Sequence, residues 1–198
     1  MTRALSKLAA FDEPDPRLEQ VATPPPLATL LLEQALERGD LGGRVVVDLG
    51  CGTGILAIGA ALLGARRSLG VDADPRAIER ATENAARAGV SCEFRRAEVG
   101  AYAEPGETVV MNPPFGAQRR HADRPFWEAA FRLAGRAIYA FSLADSRSFI
   151  ERLAVARGAR VEENRPVRWD LARTFPHHRK PRVPLPVDLW ILRVGDHP

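Results

Sequence analysis

The 198-residue sequence predicts an α/β fold: a mostly parallel sheet with helices on both faces and an antiparallel strand pair at its C-terminal end. Three observations lead there. Short apolar runs rich in β-branched residues alternate with helical segments, the spacing of βαβ units. The first run opens onto a glycine-rich turn and then an apolar helix. The last two runs, Arg160 to Trp169 and Val187 to Val194, have no helix between them and so fit antiparallel neighbours.

Met1 to Gln20 is polar, and Asp-Glu-Pro-Asp-Pro at 12–16 prevents a continuous helix there. Thr23 stands before Pro24-Pro25-Pro26 as an N-cap with proline in the first turn. Leu27, Leu30, Leu31 and Leu36 mark the apolar face of the helix that follows, which Gly39 stops. Arg44 to Leu49 is a short buried strand, Gly50 to Gly54 a loop, and Ile55 to Leu63 an almost wholly apolar helix. Ser68 to Asp72 is a second strand, and Asp74-Pro75 caps a helix lasting to Ala88-Gly89. Cys92 to Arg96 is a third strand at the sheet edge, and Val109 to Met111 ends a fourth. Phe126 to Ala134 is helical, Ala137 to Phe141 a fifth strand, and Phe149 to Ala156 a further helix. The chain reads as a single domain, 1–198, with an N-terminal segment and helix at 1–43 and the α/β core at 44–198.

Hydrophobic content of 45% and charged content of 27% are ordinary for a soluble protein. No apolar run approaches the roughly 20 residues that span a membrane, and the first residues lack a secretory signal. Cys51 and Cys92 give neither a disulfide framework nor a metal spacing. A cytoplasmic location is therefore expected, with no membrane partner. The net charge of +3 conceals an asymmetry: residues 117–182 carry 15 cations against seven acids. Such a basic half suits a polyanion such as nucleic acid.

Two motifs carry chemistry. Asp48-Leu49-Gly50-Cys51-Gly52-Thr53-Gly54 joins the first strand to the first core helix, and glycines there let backbone approach a ligand closely. Asp72, at the end of the second strand, is placed to accept the hydroxyls of a ribose. The loose pattern Gly52 to Ala57 would also serve a dinucleotide enzyme. However, Asp48 suits a ligand bearing an ammonium group better than a pyrophosphate, and no hydride-transfer set follows. The second motif is Asn112-Pro113-Pro114-Phe115, which ends the fourth strand abruptly because two prolines remove two donors. It displays an amide, a bare carbonyl and a ring where open α/β sheets bind ligands. Those groups suit a planar amine: Asn112 and the Pro113 carbonyl accept its hydrogens, and Phe115 stacks on its ring.

Together the glycine loop, Asp72 and Asn112 to Phe115 resemble the class I S-adenosylmethionine-dependent methyltransferases, with their Rossmann-like sheet. The resemblance implies S-adenosylmethionine as cofactor, with Glu98, in Arg96-Ala97-Glu98-Val99, near its adenine. Glutamine methyltransferases of proteins share Asn-Pro-Pro-aromatic but usually end it in tyrosine and commonly carry an extra N-terminal helical domain. Leu18 to Pro25, Asn112-Pro113-Pro114-Phe115-Gly116 and Phe175-Pro176-His177-His178-Arg179-Lys180 narrow the resemblance to the methyltransferase-like protein 5 family. Members of that family install N6-methyladenosine in small-subunit ribosomal RNA. The resemblance implies Gln20, Thr23, Asp48, Gly50, Cys51, Gly52, Thr53, Gly54, Asp72, Glu98 and Val99 as cofactor-binding residues. It implies Asn112, Pro113, Pro114 and Phe115 as the catalytic set, and Phe175, His177, His178, Arg179 and Lys180 as RNA contacts. It also implies a small zinc-binding activator protein pairing with the strand at 92–96. Departures from the family pattern are Val21-Ala22 for tyrosine-proline, Thr53 for a second cysteine, Glu98 for aspartate, and Pro176 after Phe175. Adenine in DNA and glutamine in protein remain alternative acceptors, and a cofactor-binding scaffold without turnover is the non-enzymatic alternative. His177-His178 lack further ligands at metal spacing, so no metal is expected.

Overall fold

The computed structural model describes residues 1–10, 22–116, 121–169 and 185–195. Seven strands form one sheet: β1 (Val45–Leu49), β2 (Arg67–Asp72), β3 (Glu93–Arg96), β4 (Gly106–Met111), β5 (Ala134–Leu143), β6 (Arg160–Trp169) and β7 (Leu185–Arg193). Their order is β3-β2-β1-β4-β5-β7-β6. All neighbouring pairs from β3 to β5 are parallel, while β7 runs antiparallel to both β5 and β6. The expected architecture is therefore present. Cys92 to Arg96 was expected at an edge, and β3 indeed pairs with β2 alone in the described sheet.

The chain begins the sheet in its middle, builds outward to β3, and then returns to lay β4 on the other side of β1. That reversal is a switch point, where the loops leaving two adjacent strands diverge and open a crevice. Leu49 pairs with Met111, so the glycine loop after β1 and the Asn-Pro-Pro-Phe stretch after β4 leave the sheet side by side.

Strand alternation divides the core into two layers. Val47, Val109, Ile138, Ala140 and Trp190 face Trp127 and Phe131 of α5 (Arg124–Leu133) and Ile150 and Ala154 of α6 (Arg147–Ala156). Val46, Val110, Tyr139, Phe141 and Leu189 face α2 (Pro25–Glu37) and α3 (Ile55–Leu62). Leu5, in the single helical turn α1 (Thr2–Leu5), joins this second layer. Helix α4 (Pro75–Ala88) starts at Asp74, whose carboxylate accepts from Arg76 N at 2.9 Å, and ends at Gly89 with φ 68°.

Three local expectations are corrected. Thr23 is not the N-cap of α2: Pro24 is, with no side-chain cap. Pro25 and Pro26 have no N–H, so the first turn offers a capping hydroxyl little to receive, and Leu27 N instead bonds the Pro24 carbonyl. The buried face of α2 is Ala28, Leu31, Leu32 and Ala35, while Leu36 is 40% exposed. The small alanines let α2 lie close to the sheet, which the large-residue pattern concealed. Finally, β5 runs from Ala134 to Leu143, longer at both ends than expected, because β4 pairs Gly106 with Ala134 at one end and β7 pairs with it as far as Leu143 at the other.

A buried carboxylate fastens the end of α2 to the sheet. Asp40 accepts hydrogen bonds from Arg136 Nε (2.5 Å), Tyr139 OH (2.6 Å) and Arg193 Nη1 (2.7 Å). Burial alone would raise its carboxyl, but the bonds from Arg193, Tyr139 and Arg136 hold it below its ordinary value.

Candidate active site

Gly50, Gly52 and Gly54 adopt φ of 70°, 51° and 88°, which residues with a Cβ rarely take. A Cβ on Gly50 would also meet the Phe126 ring at 2.7 Å. The loop thus turns sharply beneath α5 and is pinned underneath by two bonds, Gly50 N and Cys51 N both donating to the Val71 carbonyl (2.8 and 2.9 Å).

Two carboxylates organise the loop from below. Asp72 Oδ2 accepts from Gly52 N at 2.9 Å and Oδ1 from Asp74 N at 3.0 Å. Each oxygen retains a lone pair for a further donor. Asp48 is 1% exposed, and its Oδ2 accepts from Ala57 N in the first turn of α3 at 3.0 Å. Its Oδ1 is buried with no hydrogen-bond partner among the described residues. Burial, aided by the Asp72 charge and opposed by the Ala57 bond, pushes the Asp48 carboxyl up to about 8. Burial likewise raises Asp72, and raises the Cys51 thiol well above its usual range, which disfavours the thiolate.

The raised Asp48 carboxyl has a measurable consequence. The folded state holds its proton where the unfolded chain has lost it, so its contribution to stability is full at acid pH and disappears as pH rises towards about 8. Relative to Asp48→Asn, the ligand-free wild-type protein is expected to lose thermal stability steadily from about pH 4 to about pH 8. A pH-independent difference between the two melting curves would contradict this.

The register of β3 on β2 pairs Arg96 with Asp72 and so brings Glu98 and Val99 to the same carboxyl edge. Glu98 is exposed, Val99 is buried, and the Glu98 carbonyl accepts from Ala101 N and Tyr102 N. Across β1, Asn112 donates from Nδ2 to Thr23 Oγ1 at 3.0 Å, and Thr23 is 6% exposed. In this arrangement the amide nitrogen faces the N-terminal segment and the buried Oδ1 faces away from it. Pro113 is buried. The Phe115 ring meets Trp169 edge to face at 5.4 Å, and Trp169 in turn meets Phe141 at 5.3 Å. These contacts fix the Phe115 ring plane through two further rings.

The fold therefore gathers Thr23, Asp48, Gly50 to Gly54, Asp72, Glu98, Val99 and Asn112 to Phe115 at one end of the sheet. Gln20, Phe175, His177, His178, Arg179 and Lys180 lie outside the described residues. Among the described residues no group of His, Cys, Asp or Glu is arranged to hold a metal ion, and no helix is long and apolar enough to cross a membrane. Three participants escaped the sequence: Phe126 against Gly50, Trp169 behind Phe115, and Asn84 beneath Thr53. Only Asn84 left a signal, as an amide inside an alanine-rich helix.

A parallel sheet closed by one reversed strand, with this loop and these acids at its switch point, is the architecture of the class I methyltransferases, whose methyl donor is S-adenosylmethionine. The residues suit that cofactor: the unpartnered Asp48 oxygen matches an ammonium group, and the Asp72 oxygens retain room for two hydroxyl donors. Residues 28–112 match the family model of the ribosomal protein L11 methyltransferase (PrmA), a stretch that covers the glycine loop and stops at Asn112. The chain is 32% identical to the rRNA N(6)-adenosine-methyltransferase Mettl5 of Drosophila melanogaster, across 96% of this chain and 93% of that protein. It is 32% identical to the METTL5 enzyme of Danio rerio over 93% of this chain and 92% of that protein. A crystal structure of a candidate RNA methyltransferase from Pyrococcus horikoshii superposes with a TM-score of 0.89 at 37% identity, covering 98% of this chain and 96% of that one. The chain belongs to the METTL5 family of rRNA N6-adenosine methyltransferases, and S-adenosylmethionine is its cofactor.

Proposed function

We propose that the chain, acting as one methyltransferase unit, methylates N6 of an adenine in small-subunit ribosomal RNA, with Asn112 to Phe115 holding the base. The observation that carries this is the Leu49–Met111 register, which sets the cofactor loop and the Asn-Pro-Pro-Phe motif against each other at the switch point. Asp48, Gly50 to Gly54, Asp72, Glu98 and Val99 hold the cofactor, with Gln20 and Thr23 completing its pocket. The bound cofactor supplies an electrophilic sulfonium methyl group. The protein's task is then chiefly to deliver the amine in line, an effect that reaches effective molarities on the order of 10⁵ M or more.

An exocyclic adenine amine is a weak nucleophile because its lone pair is delocalised into the ring. Asn112 Oδ1 and the Pro113 carbonyl each accept one amine hydrogen, which favours a more pyramidal nitrogen. The Thr23 bond holds the Asn112 side chain in place with Nδ2 on the N-terminal segment, which leaves Oδ1 to be the end turned to the amine. A donor there would repel the amine hydrogens. Phe115 stacks on the base, a contact worth roughly 1–3 kcal/mol in single-strand binders. A paired target base must first be extruded. Phe175, His177, His178, Arg179 and Lys180 contribute RNA contacts, in keeping with the cationic excess of the second half.

The edge position of β3 among the described strands supports one further part of the proposal, a small zinc-binding activator pairing along Glu93–Arg96. A lone chain that is monomeric, stable and fully active would dispose of that part. The acceptor is tested by incubating the protein with S-adenosylmethionine labelled in its methyl group and small-subunit RNA, large-subunit RNA, ribosomal protein or DNA. Label confined to small-subunit RNA is expected; label confined to protein would overturn the assignment.

A further inference from the structure

We propose that Asn84 is a positioning residue for cofactor binding: it fastens the N-terminal segment to the glycine loop in a single register. Asn84 lies within α4, among Asn84-Ala85-Ala86, where asparagine is a poor choice for helix formation alone. It is wholly buried, so its amide needs internal partners. It finds three. Oδ1 accepts from Ala9 N at 2.9 Å, while Nδ2 donates to the Ala9 carbonyl at 3.0 Å and to the Thr53 carbonyl at 3.0 Å. The first two bonds hold the N–H and the C=O of one residue, in two adjoining peptide units, and so fix the local chain direction as well as its position. The third reaches the glycine loop, next to Gly52, whose N–H holds the Asp72 carboxylate.

The rest of the N-terminal segment is seated to match. Leu5 is 1% exposed and lies against the bare backbone of Gly59 in α3, where a Cβ would come within 3.5 Å of Leu5 Cδ2. Thr2 Oγ1 donates to Thr29 Oγ1 of α2 at 2.9 Å. Further along, Thr23 receives the Asn112 amide. One segment is thus tied to the cofactor loop at Ala9 and to the catalytic motif at Thr23, on the two sides of the switch point. The Asn84 amide bonds Ala9 and the Thr53 carbonyl of the glycine loop, so its loss acts on cofactor retention and not on the methyl-transfer step. This inference rests on the assignment of Asp48 to Gly54 and Asp72 to the cofactor.

The test uses the full chain with Asn84→Ala, Asn84→Asp and Ala9→Pro, and with Asp72→Ala as control. Asn84→Asp keeps an acceptor for Ala9 N–H but loses both Nδ2 donations. Ala9→Pro removes the N–H that Asn84 accepts without touching the interior of α4, and so reports on the same fastening if the Asn84 variants fold poorly. Kd for S-adenosylmethionine by calorimetry and its KM are each expected to rise about tenfold or more in the Asn84 variants and less in Ala9→Pro. At saturating S-adenosylmethionine, kcat should stay within about threefold of wild type, because only binding has been lost. Folded variants with wild-type Kd and KM, or with reduced kcat at unchanged KM, would overturn the proposal. If Asp72→Ala abolishes binding while the Asn84 and Ala9 variants bind normally, the positioning role alone fails. If Asp72→Ala also binds normally, the cofactor assignment fails with it.

Discussion

Replacing Asn112 by alanine is expected to lower kcat on the order of 10³-fold, the scale seen when a positioned polar group is removed from a reacting centre. S-adenosylmethionine affinity should change by no more than about threefold, since the interaction lost is one made to the acceptor and not to the cofactor. The reason is local. Asn112 leaves β4 beside the glycine loop, its Nδ2 donates to Thr23, and the role proposed for its Oδ1 is toward the acceptor amine. Thr23→Val should give a smaller fall in kcat, about tenfold, because the amide is kept while the bond that orients it is lost. Stopped assays on the two variants, paired with calorimetric titration of S-adenosylmethionine, separate the effects. Parallel loss of cofactor affinity and rate in Asn112→Ala would mean that Asn112 shapes the cofactor pocket instead.

The second large effect concerns stability. Asp40→Ala should destabilise the fold by about 3 kcal/mol or more, the low end of the range for breaking a buried ion pair. It leaves Arg136, Tyr139 and Arg193 without their common acceptor. Arg193 keeps Glu162, and Arg136 is 41% exposed, which limits the loss. For a chain of this length such a change lowers the melting temperature by about 6–12 °C. Because Asp40 is held below its ordinary value, its contribution is present above the carboxylate range and is lost only as pH falls through it. Thermal melts at neutral pH showing no difference between Asp40→Ala and wild type would contradict this account of how α2 is fastened.

The alternation of strands and helices, the glycine loop, Asp72 and Asn112 to Phe115 were legible in the sequence because each follows from local rules of turn chemistry and periodicity. Their meeting was not, since β1 and β4 are neighbours in the sheet but not in the chain. Thr23 was misassigned for an instructive reason. Threonine before proline reads as a helix cap, yet the prolines remove the donors that a cap would serve, leaving its hydroxyl for Asn112. Trp169 is fully buried, but the sequence held no sign that it would brace Phe115. Asn84 stood out as an amide in an alanine-rich helix, but its partners did not, because Ala9 and Thr53 offer only backbone, which carries no residue-specific signal.

The central claim is that the Asn112 to Phe115 clamp directs the methyl group to the N6 amine of an RNA adenine. The most direct test is mass spectrometry of nucleosides from small-subunit RNA after reaction with the protein and S-adenosylmethionine carrying a deuterated methyl group. The account predicts deuterated N6-methyladenosine as the labelled nucleoside, and its disappearance with Asn112→Ala. A deuterated methyl group on another nucleoside, or recovered only as methylated glutamine in accompanying ribosomal protein, would contradict it.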